Sequence, residues 1–254
     1  WAFTYRHFWP KADAKAFLDA CPFDKFIVND IFVDREPIYK ELDYFFGKKW
    51  GLGVLHSMGG WTTVHGDLAD TIARVHEVVN DPKAINCVNY YFNPETVHHN
   101  AVWFDLAAEL AWNPKAIELD SFIDDYLVRR YGSEAGPKMR PAWDELIASV
   151  YGNFDFTTPR YQVLPSVSIP DTLPPREAYI PHLKKALELA LAQKNALGDN
   201  RAYQIDLIDI TRQWVAEVFN VYWRQMITAY KGSDKAAFDK AVAGMFKCLD
   251  YQEM

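Results

Sequence analysis

Hydrophobic positions along the chain follow two regimes. Up to about residue 100, short β-branched or aromatic runs alternate with amphipathic stretches; beyond it only helical periodicity remains. Three runs read as buried strands: Phe26 to Phe32, Trp50 to Met58 and Ile85 to Phe92. Each is closed by polar or Gly residues, the pattern of parallel strands covered on both faces. Ahead of them, Ala12 to Ala20, Ile38 to Phe46 and Leu68 to Val79 carry helical spacing. Alternation of this kind predicts βαβ units and a parallel sheet.

The strands recur every roughly 25 to 35 residues, the length one βα unit of a (β/α)8 barrel consumes. Three strands cannot close a barrel, and open parallel edges leave backbone groups unpaired. The expectation is the C-terminal part of a TIM-like barrel whose other strands precede Trp1. The ends agree: the chain opens Trp-Ala-Phe-Thr-Tyr without an initiator Met or a visible signal peptide, and closes still in helical pattern at Tyr251.

After Asn100 the pattern predicts helices over Ala101 to Trp112, Asp120 to Tyr131 and Pro141 to Tyr151. A connection from Thr158 to Pro175 contains Pro159, Pro165, Pro170, Pro174 and Pro175, which excludes a helix interior or a central strand. Helical spacing resumes over Glu177 to Ala196 and Ala202 to Tyr230. In the second of these Ile205, Ile208, Val215, Val218, Phe219 and Tyr222 form one broad apolar face. Gly232-Ser233 break it, and Lys235 to Tyr251 begins another helix. The fold class expected is α/β plus all-α: barrel units over 1–115, then an α-helical bundle domain over 116–254.

Composition narrows the function. Of the 254 residues, 27 are basic and 34 acidic, and no Lys/Arg run interleaves with aromatics, so nucleic acid is not expected as a partner. No apolar stretch is long enough to span a bilayer. Cys21, Cys87 and Cys248 have no metal-like or redox spacing. Aromatic residues reach 15 %, which suits either a sugar-stacking cleft or a large aromatic core.

Active sites of α/β barrels sit at the C-terminal ends of the strands. That rule selects Asn29-Asp30 with Asp34-Arg35-Glu36, then His56-Ser57-Met58-Gly59-Gly60, then Asn93-Pro94-Glu95. Glu95 follows an aromatic strand directly, and Pro94 stiffens the backbone that presents it. A carboxylate so placed suits a glycosidase nucleophile or proton donor; the alternative is a loop residue assisting the next helix start. Gly59-Gly60 permits close approach to a ligand or makes a tight turn. His56 is either a hydrogen-bond donor to substrate or a structural side chain. His98-His99 point in different directions and lack a third ligand at metal spacing, so no metal is expected. Nucleotide cofactors are not expected either, since the chain has neither a Rossmann fingerprint nor a P-loop, and no nucleophile-elbow serine is present.

At these residues the sequence resembles the α-N-acetylglucosaminidases of glycoside hydrolase family 89. Asp30-Ile31-Phe32 with Pro37-Ile38-Tyr39 is similar to that family's Asp-Leu-Phe … Pro-x-Tyr, and Leu55 to Gly60 to its Leu-His-Asn-Phe-Gly-Gly. Pro94-Glu95-Thr96-Val97-His98-His99-Asn100 is similar to Pro-Glu-Gly-Ile-x-x-Asn. Glu109 to Trp112 and Arg130-Tyr131-Gly132 resemble its Glu-x-x-Trp and Arg-Tyr-Gly, and Tyr203 to Gln213 its Tyr-Asp-Leu-x-Asp-x-Thr-Arg-Gln. Ser57, Met58 and Thr96 depart from the family residues.

The resemblance implies a retaining exo-glycosidase that releases terminal α-linked N-acetylglucosamine from glycans, with Glu95 as nucleophile. It implies an acid/base Glu in an Asn-Glu pair that, by motif order, lies before Trp1; the fragment alone would then be inactive. Asp30, His56, Ser57, Gly59, Gly60, Tyr91, Asn100 and Trp112 become candidate substrate-binding residues. A secreted, periplasmic or lysosomal setting is implied on the same ground. The competing reading is a catalytically degenerate carbohydrate-binding protein on the same scaffold, motivated by Ser57, Thr96 and the missing proton donor.

Overall fold

The computed structural model describes residues 2–3, 10–22, 25–56, 63–95, 99–152 and 177–253. The candidates Ser57, Gly59 and Gly60, and nearly all of the proline-rich connection, lie outside the described residues. The chain forms two compact units, Trp1–Gly60 with Asp67–Leu119, and Trp61–Gly66 with Asp120–Met254.

Among the described residues the first unit has four parallel strands in the order β1 (Ala2–Phe3), β2 (Val28–Asp30), β3 (Trp50–Val54), β4 (Cys87–Phe92). Asn29 pairs with Gly51 and Gly51 with Asn89, while Gly53 lies opposite Tyr91. The two glycines are required by close approach. A Cβ on Gly53 would come within 2.3 Å of the Tyr91 ring, and one on Gly51 within 2.9 Å of Asn29 Oδ1. Side chains from the opposite pleat, Val28, Trp50, Leu52 and Val54, are buried.

Helix α1 (Lys11–Ala20) precedes β2, and α3 (Leu68–Asn80) joins β3 to β4. Leu68, Ile72, Val75 and Val78 give α3 its buried stripe, each worth roughly 1.5–3 kcal/mol on full burial. Asp67 caps it by accepting from the Asp70 amide at 2.8 Å, a contact worth about 1 kcal/mol. Helix α4 (Ala101–Trp112) follows β4 over the expected range, burying Val102, Trp103, Leu106 and Leu110.

Three expectations for this unit are corrected. Ile38 to Phe46 is not a helix: it is a run of turns ending in α2 (Asp43–Phe46), where all four residues have φ between 46° and 57°. The reason is long-range. Asp30 Oδ2 takes the amides of both Ile38 and Tyr39 at 2.9 Å, which starts a turn that local periodicity does not encode. The strands are shorter than expected, because Arg35 and Glu36 both donate to the Phe32 carbonyl and turn the chain out of β2. Finally, β4 is not covered on both faces: Val88 is 51 % exposed and Phe92 38 %. Among the described residues β4 has a neighbour on one edge only.

The second unit is helical: α5 (Leu119–Tyr131), α6 (Gly136–Ile147), α7 (Tyr179–Leu191), the short α8 (Lys194–Leu197), α9 (Arg201–Lys231) and α10 (Lys235–Glu253). Helix α6 begins five residues before the expected Pro141, because Pro137 occupies its first turn, where a missing N–H costs nothing. Pro141 is carried inside. Helix α6 packs on α7, α7 on α9, and α9 on α10. Between the last two, Val215, Phe219, Trp223, Ile227 and Cys248 form the core, and Gly244 admits the Tyr222 ring. The apolar face expected for α9 is corrected at its start, where Ile205 and Ile208 are exposed while Tyr203 and Ile210 are buried. A charged cluster joins α5 to α9. Arg130 holds Asp206 through two hydrogen bonds of 2.6 Å, and Tyr131 and Trp143 extend the network.

Among the described residues no helix is long and apolar enough to cross a membrane.

Candidate active site

The C-terminal ends of β2, β3 and β4, with the start of α4, carry most of the candidate residues. Asp30 closes β2 and is fully buried. Burial pushes its carboxyl up to about 7, against the opposing pull of the Ile38, Tyr39 and Phe32 amides, and the nearby Asp34 carboxylate adds to the rise. Its role in the structure is to hold the turn at Ile38-Tyr39.

Asp34 does the equivalent for β3. Its Oδ2 accepts from the His56 amide at 2.8 Å and Oδ1 from the Leu55 amide at 3.3 Å. Burial raises its carboxyl to about 6, moderated by those two amides and by the Arg74 charge. His56 has φ 62°, the left-handed region that non-Gly residues rarely adopt. Its ring stacks on Trp103 at 4.0 Å and meets Phe104 edge-on at 5.2 Å. Trp103 is fixed in turn by its indole N–H, which donates to Thr71 Oγ1 at 3.2 Å, while Thr71 donates to the Asp67 carbonyl at the start of α3.

Tyr91 lies over Gly53 and packs against Ile31, Phe32 and Leu55. Burial, aided by the Asp30 and Asp34 charges, pushes its phenol above the ordinary value. The β3–β4 ladder reaches one residue beyond the strand, with the Asn93 amide donating to the Val54 carbonyl at 2.9 Å. Pro94 follows, and Glu95 sits exposed at the bend after it. Asn100, buried and also left-handed at φ 58°, starts α4; its carbonyl accepts from the Trp103 amide.

Asp30, His56, Tyr91, Glu95 and Asn100 therefore belong to one connected end of the sheet. Trp112 does not join them. It ends α4, twelve residues long, and at ~1.5 Å per residue lies roughly 17 Å along the axis from the helix start. It is 85 % exposed. Sequence reasoning selects Asp34 as a candidate but not its partners, which lie 21 and 22 residues away, and it misses Trp103. Trp103 reads as an ordinary member of the α4 apolar stripe. Among the described residues no group of three or more His, Cys, Asp or Glu could hold a metal ion.

Chemically, an exposed carboxylate just past a strand end can serve as a nucleophile or a proton donor toward a bound sugar. Residues 1–114 match the family model of the α-N-acetylglucosaminidase (NAGLU) tim-barrel domain, and residues 122–254 that of the NAGLU C-terminal domain. Human α-N-acetylglucosaminidase is 28 % identical over an alignment of 252 residues, which covers 95 % of this chain and 33 % of the human protein. The chain thus spans about a third of that relative. A family 89 glycoside hydrolase from Clostridium perfringens, solved in complex with PUGNAc, superposes with a TM-score of 0.82 at 18 % identity, covering all of this chain and 29 % of that one. The C. perfringens enzyme in complex with its substrate GlcNAc-α-1,4-galactose gives a TM-score of 0.75 at 19 % identity, over 89 % of this chain and 26 % of that one. These likenesses identify the fold as part of a TIM barrel followed by a helical domain.

Proposed function

The chain belongs to the α-N-acetylglucosaminidase (NAGLU) family, and from that premise we propose that it is part of a retaining exo-glycosidase that removes terminal α-linked N-acetylglucosamine from glycans. The observation that carries the proposal is the exposed Glu95 carboxylate at the bend that follows β4, two residues past the last ladder hydrogen bond.

In this reading Glu95 attacks the anomeric carbon on the face opposite the leaving group, and a glycosyl-enzyme forms. A second carboxylic acid, supplied from outside these 254 residues, protonates the departing oxygen and then activates water. Retention requires the pair to lie about 5 to 5.5 Å apart. His56, Tyr91, Ser57, Gly59 and Gly60 are assigned to binding the sugar, while Asp30 holds the turn at Ile38-Tyr39 and Asn100 starts α4. Trp112 is left out of the sugar-binding set. The barrel units occupy 1–115 and the helical domain 116–254. A secreted, periplasmic or lysosomal setting is part of the same proposal.

The test is Glu95→Gly in the full-length protein, assayed on an aryl α-N-acetylglucosaminide. Turnover falls to background, and added azide restores aryl release while producing the β-glycosyl azide, because azide enters from the face the carboxylate vacated. Unchanged turnover removes Glu95 from the nucleophile's role. A parent protein that binds N-acetylglucosamine by calorimetry without turning over substrate supports the degenerate carbohydrate-binding reading instead.

A further inference from the structure

We propose that Asp34 is the positioning residue of this site: its carboxylate fixes the backbone of His56 and so aims the His56 ring. The proposal rests on the reading of His56 as sugar-facing, and deepens it.

The β3 ladder stops at Val54, yet the next two residues remain buried, Leu55 at 4 % and His56 at 5 % exposure. Buried amides need acceptors, and the β3–β4 register ends at Val54 and Phe92. Asp34 meets the need by offering one oxygen to each of two consecutive amides. The carboxylate is itself set in place. The Val33 amide donates to the Gly53 carbonyl at 3.0 Å, and Arg74 reaches from α3 to donate to the Val33 carbonyl at 3.0 Å. The loop after β2 is thereby clamped onto the end of β3.

A left-handed residue with a side chain persists only where its surroundings over-determine it. At His56 the backbone is held by Asp34 and the ring by Trp103 and Phe104. Remove the first constraint and the ring is free to follow a commoner backbone conformation. An Asn at position 34 is nearly the same size but sets an NH2 group against one of the two amides, so one of the paired contacts is lost.

The experiment is a double-mutant cycle in the full-length protein, with Asp34→Asn, His56→Gly and both together, read as kcat and KM on an aryl α-N-acetylglucosaminide. Asp34→Asn alone is expected to lower kcat/KM by ~10–100-fold, chiefly through KM, whereas mere loss of folded enzyme lowers kcat at constant KM. In the His56→Gly background, which tolerates positive φ and has no ring to aim, Asp34→Asn adds less than about 3-fold. Equal losses in both backgrounds, or a loss confined to kcat, overturn the proposal. If Asp34→Asn does not fold, Asp34→Glu, which keeps both acceptors one methylene farther out, supplies the same cycle. A crystal structure of the variant decides the matter without turnover: His56 still left-handed and stacked on Trp103 refutes the positioning role. A parent protein without turnover sinks the glycosidase reading, and that structure still judges Asp34.

Discussion

Asp30→Asn removes an ionisable group from the interior while nearly preserving the shape of the side chain. In the folded protein Asp30 is fully buried, with Oδ2 bound to two amides at 2.9 Å. Its carboxyl is raised from 3.8 to about 7, first by burial. Between these values the folded state holds a proton that the unfolded chain has released. Stability associated with this group is therefore full below pH 4 and declines as pH rises toward 7. At ~1.4 kcal/mol per pH unit the gap sets a ceiling on the order of 4 kcal/mol. The variant has no such titration. It keeps an amide oxygen for Ile38 and Tyr39, and near pH 4 it should be about as stable as the parent or lower by ~1 kcal/mol. Near pH 8 it should be the more stable of the two by up to a few kcal/mol. Paired thermal unfolding of full-length parent and variant from pH 4 to pH 8, at one scan rate, gives the difference directly. Asp34, raised to about 6, titrates in both proteins, so the difference reports Asp30 together with its coupling to Asp34. A difference curve that is flat with pH, or a variant that loses ground as pH rises, refutes the reasoning.

Other substitutions probe the remaining contacts. Gln213→Leu leaves the Val64 amide and the buried Glu217 carboxylate without the amide that now bridges them at 2.7 Å each, and should cost about 2–4 kcal/mol in urea unfolding; no loss would show the bridge to be dispensable. Asp206→Asn breaks the paired contact with Arg130, whose partners are 15 % and 13 % exposed, and should cost roughly 3 kcal/mol, seen as a lower thermal midpoint that Arg130→Leu in the same chain partly restores. Gly53→Ala drives a methyl into the Tyr91 ring and should cost ~1–3 kcal/mol, and Tyr91→Ala in the same protein should recover part of it; equal stability in Gly53→Ala and parent would place the ring elsewhere.

Much of the architecture is legible from residue order. Period-two and near-3.6 patterns report which face of a segment is buried, and burial is decided mainly within a few residues. Helix α4 is read at its observed ends, Ala101 and Trp112, and the parallel strands at their centres. The placement of Glu95 just after a strand follows from the same reading. Periodicity fails where a distant side chain captures the backbone. Ile38 to Phe46 has helical spacing, yet Asp30 draws two of its amides into a turn. At the start of α9, Ile205 and Ile208 are apolar but exposed. The two-residue β1 is too short to show any period.

The sequence by itself determined the succession of strands and helices, the change from α/β to all-helical organisation, and the run of family motifs that names the chemistry to test. Tertiary structure decided which polar side chains hold those elements in place. Asp34 meets the amides of Leu55 and His56, and Gln213 accepts from the Val64 amide 149 residues away. Hydrophobic burial is non-directional and leaves a local periodic trace. A hydrogen bond between distant residues is directional and pairwise, and it exists only once the chain has brought donor and acceptor together.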